Sequence, residues 1–467
     1  MNVTQVAISP TQASREAGRP ALTPELLAAS GARYSRNNEG LDSILSRIDP
    51  ENPDKSVDSI FRMLDYGHQS IADMAPVAMF IDGISLWLAY YVWSLCPTAS
   101  GQESSTRYLN YGSKPAVEPQ QLGITGCHSD AWRALISECY DAYGEALQFW
   151  ENAALENPSL TRIPAELLND SSEKTQKKVA RMKRNFAFDR ARYFLPASAP
   201  TNVMLLMSAR AWTGLIQHLL SYPLPEAQTL GNQLREELSL TAPRLVKHAT
   251  AKPSLEQGIA LEIDQVRQLS LQWNRQYLLN ETQEAHPCTA FLETFAPSEN
   301  CPAAAADLTF HDNRYAWMGA GLRRTAVRFG WEAVAMAELR DLNRHRTGSK
   351  WCPLIPRGFY CAGDQLPGQA HQETFRKLAT VGRRAAAAAR ALLECGDPAY
   401  IYWTMLGTQY YFEHTTTADK FLYEAELRTG TGAHYRYARH LHDALEEWYK
   451  IYPDTRGLVL EGSAEPE

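Results

Sequence analysis

The sequence lacks the spacings that build metal or disulfide scaffolds. None of its 8 cysteines forms a C-x-x-C pair, and none stands beside an H-x-x-x-H pair, so neither a zinc site nor a disulfide framework is indicated. The thiols read as free and mostly buried. Long apolar runs are missing too: the longest apolar region, Met74 to Leu95, is broken by Asp82, Gly83 and Ser85, which argues against a membrane span. No excess of positive charge exists, with 46 Lys and Arg against 53 Asp and Glu and a net charge of -7, so general affinity for a nucleic-acid backbone is not expected. Met1 to Pro20 shows no basic start followed by an apolar core, hence no export signal is expected and a cytoplasmic location is the default.

What is present is ordinary soluble-protein composition, 45% apolar and 21% charged over 467 residues, a length that suggests two or three domains. Met1 to Pro24 has no periodicity and reads as a mobile lead-in. Helical spacing predicts helices over Ser56 to Tyr66, Ala131 to Asn152, Glu173 to Arg192 and Glu226 to His248, the last interrupted by Pro243. Ile71 to Trp93 is apolar enough to be largely buried. Leu255 to Leu279 reads as a connecting helix, with Ser254 and Gln257 placed for a capping box. The layout then repeats: an apolar stretch (Trp317 to Leu342), a loop, a long Ala/Arg helix (Glu373 to Cys395) and a last helical pair ending at Tyr452, followed by an acidic, loose tail from Arg456. Two halves of similar plan, 1–250 and 251–467, suggest an internal duplication.

Two segments carry chemistry. The first runs from Tyr66-Gly67-His68-Gln69-Ser70 to Gly101-Gln102-Glu103-Ser104-Ser105-Thr106-Arg107-Tyr108. The second is Glu338-Leu339-Arg340-Asp341-Leu342-Asn343-Arg344-His345-Arg346-Thr347-Gly348-Ser349. Two arginines around a histidine at a helix end need anionic partners if buried, because isolated cations are costly to desolvate; otherwise they are a solvated terminus favoured by the helix dipole. His68 has a plain alternative as a turn histidine. Arg192 could simply end a helix whose Lys177, Lys178, Arg181, Lys183 and Arg184 form a solvated face.

Taken together these segments resemble the flavin-dependent thymidylate synthase family, whose signature is a His-x-Ser/Thr turn, Arg-His-Arg, a short loop and Glu-x-Ser-x-Arg-Tyr. Here the signature is split. The first half keeps His68-x-Ser70 and Glu103-x-Ser105-x-Arg107-Tyr108 but reads Trp93-Ser94-Leu95 in place of Arg-His-Arg. The second keeps Arg344-His345-Arg346 but reads LIPRGFY (354–360) in place of the other motif. The family's arginine before a Leu-Pro is matched by Arg192, with Tyr402 near the corresponding place in the second half. Its later arginine, which contacts the pyrimidine, is matched by Arg428, with Leu219 in the first half. Each half lacks what the other retains, the pattern expected of a duplicated chain with one composite site per pair of halves.

The resemblance implies an α+β fold of two related domains, each an antiparallel sheet flanked by helices, and a homodimer forming a pseudo-tetramer. It implies an enzyme that methylates a pyrimidine nucleotide (dUMP) at C5, with FAD, methylenetetrahydrofolate and NADPH. Glu103, Ser105, Arg107, Arg192, Asp341 and Arg344 are then the substrate residues. Ser70, Glu103, Arg344, His345, Arg346, Ser208 and Arg210 surround FAD, and Arg428 is the catalytic group that favours the ionised pyrimidine. Guanidiniums suit this work, since they bind phosphate through paired hydrogen bonds and, a few ångströms from a weak acid, favour its anion. An ionised ring attacks through C5 without an enzymic thiol, consistent with Cys96 and Cys352 having no matching histidine. Asp341 stands where the family has a glutamine; a carboxylate there suits a donor-rich base edge such as cytosine, or must turn away. UMP or a cytidine nucleotide as substrate, and a non-catalytic nucleotide- or flavin-binding protein, are the alternatives.

Overall fold

In residues 76–85 the apolar positions Val77, Met79 and Ile81 keep the two-residue period of a strand, but Ile84 falls out of phase. Residues 326–335 repeat the same irregular spacing at Val327, Phe329, Trp331 and Val334. All eight side chains can face one core only if each strand gains an extra residue before its last apolar position. The computed structural model shows this: register shifts lie between Asp82 and Ile84 and between Trp331 and Val334, and all eight residues are buried. Gly83 supplies the first bulge with φ +74°, a conformation that glycine adopts without a Cβ clash.

The structure describes residues 1–467 except 7–11, 13–15, 17, 20, 36–40, 50–51, 54, 56, 59–69, 113–115, 280–284, 297–303, 367 and 465–467. The elements used below are, in chain order, β1 (Asn2–Val6), β2 (Pro76–Ser85), α1 (Leu86–Leu95), β3 (Ser100–Glu103), α2 (Cys127–Glu156), α3 (Glu173–Ala191), β4 (Pro200–Ser208), α4 (Ala209–Ser221), α5 (Pro225–Ser239), α6 (Pro253–Gln272), β5 (Ala290–Phe295), β6 (Ala326–Ala335), α7 (Met336–Leu342), β7 (Ser349–Trp351), β8 (Gly358–Phe359), α8 (Gln369–Glu394), β9 (Thr408–Thr417), α9 (Ala418–Arg428) and α10 (Tyr435–Ile451). The fold is α+β, with two antiparallel sheets of the same plan. The first has the order β1-β2-β4-β3, the second β5-β6-β9-β7 with β8 also paired to β9. In both, the two central strands, β2 and β4 or β6 and β9, run directly into a helix.

The chain divides into two compact units: Met1–Ser104, Gln120–Gly123 and Pro200–Ile263 form one, and Ser105–Pro119, Ile124–Ala199 and Asp264–Glu467 the other. The first unit holds the first sheet. Ser85 ends β2 and caps α1, its Oγ accepting from the Leu88 N–H at 3.0 Å while the buried Glu226 carboxylate accepts from its own N–H and hydroxyl at 2.7 and 2.8 Å. The second unit holds the second sheet with the long helices α2 and α3, around a cluster in which Trp150, Phe186 and Phe375 meet edge to face.

Two expectations for the chain ends are corrected. The lead-in is not loose at its start, because Asn2–Val6 pairs with β2, with Gln5 N–H donating to Glu237 at 3.0 Å and Val3 buried. Polar spacing hid a strand whose stability comes from backbone pairing with an apolar neighbour. The acidic tail docks as well: Leu460 N–H donates to Glu426 at 2.9 Å, Gly462 N–H to Thr429 Oγ1 at 2.8 Å, and Val459 is buried. The predicted helix over 226–248 stops at Ser239, ahead of Pro243. The predicted helix over 56–66, and His68, fall largely outside the described residues.

Gly330 on β6 provides a test of this register. A Cβ there would lie 2.1 Å from the Phe412 carbonyl oxygen and 2.8 Å from Glu413 Cα, both backbone atoms of β9. Gly330→Ala is expected to cost about 1–3 kcal/mol in urea denaturation. Gly144→Ala, on α2 with nothing within 4 Å of the added carbon, is expected to be neutral or to stabilise by up to about 1 kcal/mol.

Candidate functional site

The sequence after α3 turns sharply through Arg192, Tyr193 and Phe194, a single turn that ends in an extended Leu195. From there it runs antiparallel to residues 404–407. Ala197 N–H donates to the Thr404 carbonyl at 2.9 Å, Leu406 N–H to Leu195 at 2.8 Å and Gly407 N–H to Tyr193 at 2.7 Å. A side chain at Gly407 would strike the Tyr360 carbonyl and the Phe359 ring, so glycine here lets residues 359–360 pack against the other side of this segment. Leu406 in turn accepts from Ala337 N–H at 2.9 Å, which anchors α7 to the same ladder. Three backbone segments, none adjacent in sequence, thus fix Arg192 against α7.

Arg192 is 2% exposed and donates from both terminal nitrogens to Asp341 Oδ2 at 3.3 Å. The other carboxylate oxygen of Asp341 lies 3.6 Å from Arg344, whose side chain is 53% exposed. Burial by itself would push the Asp341 carboxyl up, but Arg192, Arg344, Arg107 and Arg428 together hold it down at about 2. The Asp341 carboxylate therefore meets Arg192 and Arg344, one from each half of the sequence. Both of its oxygens face arginines.

Arg107 makes a paired contact with Asp189, Nε and Nη2 each at 2.8 Å from one carboxylate oxygen. Ser105 accepts from Arg107 N–H at 3.1 Å and fixes the turn that presents it. Asp189 lies one helical turn before Arg192, so α3 delivers both a carboxylate and a guanidinium to the same place. The neutral ring of His434 bridges onward: Nε2 donates to the Asp189 carbonyl at 3.2 Å, Nδ1 accepts from Arg436 N–H at 3.2 Å, and burial pushes its pKa well below the ordinary value.

Arg428 donates from Nε to His345 Nε2 at 2.7 Å and from Nη2 to the Asp341 carbonyl at 3.3 Å, with its guanidinium 5.3 Å above the Tyr437 ring. A histidine can accept this bond only when neutral. Burial supplies that condition, lowering the His345 pKa to about 4 although Glu424 opposes the shift. Glu424 lies 4.0 Å from His345 and 3.3 Å from His414, and its carboxyl is held at about 2 by those histidines and Lys350 against the effect of burial.

The groups described are four guanidiniums and Lys350 against three carboxylates, Asp189, Asp341 and Glu424, with His345 and His434 uncharged. Arg192 Nε is buried with no partner among the described residues. The surplus of about two positive charges matches a phosphate monoester, which carries about two negative charges near neutral pH.

The other expected residues stand as follows. Arg346 is half-buried next to His345. Ser70, Glu103, Ser208 and Arg210 belong to the first unit. There Asp73, on the short helix that Ser70 begins, accepts from Ser208 Oγ at 3.3 Å and from Arg210 at 2.8 Å. Ser208 also caps α4, accepting from Ala211 N–H at 3.2 Å. Sequence reading missed Asp189, His434 and Glu424. The D-R-A-R pattern at 189–192 was the available signal for the first. It also missed that Cys288 Sγ lies 3.5 Å from His440 Nδ1, so one thiol does have a histidine partner.

The pairing has consequences for stability. Asp341→Asn leaves Arg192 buried without its carboxylate and is expected to cost about 3–5 kcal/mol in urea denaturation at neutral pH. For Asp341 the folded pKa is depressed, so its contribution is present above the unfolded value of 3.8 and is lost as pH falls toward about 2. For His345 the unfolded chain binds the proton first, so stability also falls between pH 6.5 and about 4. His345→Gln is expected to flatten the upper limb of an acid titration followed by circular dichroism, and Asp341→Asn the lower.

Residues 21–244, a little under half of the chain, match the family model for thymidylate synthase complementing protein. The UPF0159 protein Ta1429 of Thermoplasma acidophilum is 27% identical over 241 residues, 47% of this chain and 48% of that protein. A UPF0159 protein of Chlamydia pneumoniae is 23% identical over 248 residues, 48% of this chain and 45% of its own. The chain thus spans about half the length of the curated relatives it matches. A solved structure, the UMP/dUMP methylase PolB from Streptomyces cacaoi bound with 5-Br dUMP, aligns over 53% of this chain and 93% of its own with 16% identity and a TM-score of 0.31. Residues 21–244 are thus similar to the thymidylate synthase complementing protein family.

Proposed function

We propose that the protein is a flavin-dependent thymidylate-synthase-like enzyme that methylates a pyrimidine nucleotide, dUMP, at C5. One observation carries the reading: Arg192 from the first half and Arg344 from the second share the Asp341 carboxylate, and Arg428 donates to the carbonyl of the same residue. Chance decay of a duplicated gene gives no reason for the surviving arginines to meet. A single working site does, and the matched strand orders and bulges of the two sheets support the duplication, with repeats at 1–250 and 251–467.

In this reading Arg107 and Arg192 take the phosphate, with Ser105 holding the Arg107 turn and Asp189 and Asp341 serving as counterions until the anion arrives. Arg428 is held by His345 and by the Asp341 carbonyl, so its remaining donor can face the pyrimidine and favour the N3 anion. Both oxygens of Asp341 face arginines, which favours the acceptor-rich edge of uracil over cytosine. Arg344 and Arg346, more exposed, suit the pyrophosphate of FAD, and in the first unit Ser70, Glu103, Ser208 and Arg210 are flavin-binding candidates. FAD, when bound and regenerated by NADPH, supplies the two-electron reduction that turns a methylene from methylenetetrahydrofolate into a methyl group. Two chains form a pseudo-tetramer, and the enzyme works in the cytoplasm. A second reading rests on the tight Arg107–Asp189 pair: a non-catalytic protein whose cations are already neutralised and which only binds nucleotide or flavin.

Turnover separates them. With methylenetetrahydrofolate, NADPH and FAD, mass spectrometry should find a 5-methyl product from dUMP or UMP and little from dCMP. Arg107→Ala and Arg344→Ala should each lower kcat/KM by at least about a hundredfold, since each removes a charged contact worth a few kcal/mol. Mixing the two variants should restore nothing, because both side chains belong to one site within one chain. Absence of product from all three nucleotides, with flavin bound, would leave the non-catalytic reading.

A further inference from the structure

A cavity of about 250 Å³ in the second unit is lined by Phe359, Phe375 and Ala379 together with Arg376, Arg383 and Arg436, with Cys288 and Cys361 in its wall. Cys288 also borders a neighbouring hollow with His440, Arg436 and Asp364. The segment carrying Cys288 is rigid. The buried Gln409 side-chain amide both accepts from His286 N–H at 2.9 Å and donates to the His286 carbonyl at 3.0 Å. His440 is fixed equally well, its carbonyl accepting from Trp331 Nε1 at 2.9 Å.

Cys288 Sγ lies 3.5 Å from His440 Nδ1 and 4.0 Å from its Nε2, and that Nε2 lies 3.9 Å from Glu338. Glu338 is fully buried and held in place by Tyr193 Oη at 2.6 Å and Ala335 N–H at 3.1 Å. A thiol beside an imidazole, with a fixed carboxylate 3.9 Å from that ring, supplies the parts of an activated nucleophile. Burial opposes a charge on His440, but Cys288 and Glu338 outweigh it and raise its pKa to about 9. Arg436, Arg439, Asp364 and Asp443 are the other charged groups facing this place. None of this arrangement takes part in the nucleotide chemistry above.

We propose that Cys288 and His440 form a nucleophilic thiol site that takes an anionic small molecule with an apolar body and a soft electrophilic carbon. The apolar wall receives the body and the arginines the negative charge. His440 takes the Sγ proton, the sulfur electron pair forms an S–C bond, and the bond to the leaving group breaks with its electrons. The proton held on His440 can neutralise the departing group.

The test is site-resolved alkylation of the full-length protein by limiting iodoacetate and iodoacetamide from about pH 5.5 to about pH 9, a range that spans the ionisation of an ordinary thiol. In each case iodide leaves as sulfur bonds to carbon. Peptide mass spectrometry reads Cys288 against Cys127 and Cys395, which are exposed, and against Cys361, whose thiol burial pushes up to about 12. Cys288 should react at least about tenfold faster than Cys127 or Cys395 at about pH 6.5, where ordinary thiols are mostly protonated. Its iodoacetate-to-iodoacetamide ratio should be the higher, and Arg436→Gln should lower that ratio alone. His440→Gln should remove the advantage. Wild-type Cys288 reacting no faster than Cys127 and Cys395, with the pH profile of a free thiol, would overturn the proposal whether or not the variants fold.

Discussion

The buried pair between Arg192 and Asp341 is the contact on which the site depends. Neither charge could stay in the interior alone, because stripping water from an unpaired ion costs several kcal/mol. One partner comes from the turn after the first long basic helix and the other from a short helix almost 150 residues later, so the pair requires the two segments to meet. The backbone ladder from Tyr193–Ala197 to Thr404–Gly407 provides that meeting. Arg344 is drawn to the same carboxylate from the other side.

That arrangement explains how a basic cluster survives in a protein of net charge -7. Each guanidinium has a local acceptor: Asp189 for Arg107, Asp341 for Arg192 and Arg344, and a neutral His345 for Arg428. Burial keeps the histidine neutral, so it can accept a hydrogen bond without adding charge. The result is a site with a modest positive surplus, preorganised in its geometry yet stable without a bound anion. The same helix that carries Asp341 carries Glu338, whose bond from Tyr193 and contact with His440 connect the arginine cluster to the Cys288 cavity.

Much of this was legible in the sequence, and the reasons differ by residue. Arg344, Arg107, Arg192 and Arg428 could be found because a split motif is visible in a one-dimensional string, and their complementarity across the halves pointed to one site. Asp341 stood out as a departure, but only the fold shows that its oxygens are taken by arginines. Asp189, Glu424 and His434 were hidden because carboxylates and histidines are common, and their roles arise from burial. The division into compact units was not legible either: residues 124–199 cluster with the C-terminal half, since tertiary packing need not follow sequence order. The twin strands were encoded in matching out-of-phase apolar residues, whereas β1 had too weak a pattern to read. Cys288 was passed over because its histidine lies 152 positions away.

Calorimetric titration of the intact protein with dUMP tests the central claim most directly, repeated on Arg107→Gln and Arg428→Gln. A single site per chain, weakened by either substitution although one residue comes from each half, is the predicted result. Two independent sites, each sensitive to only one arginine, or binding indifferent to both, would contradict it.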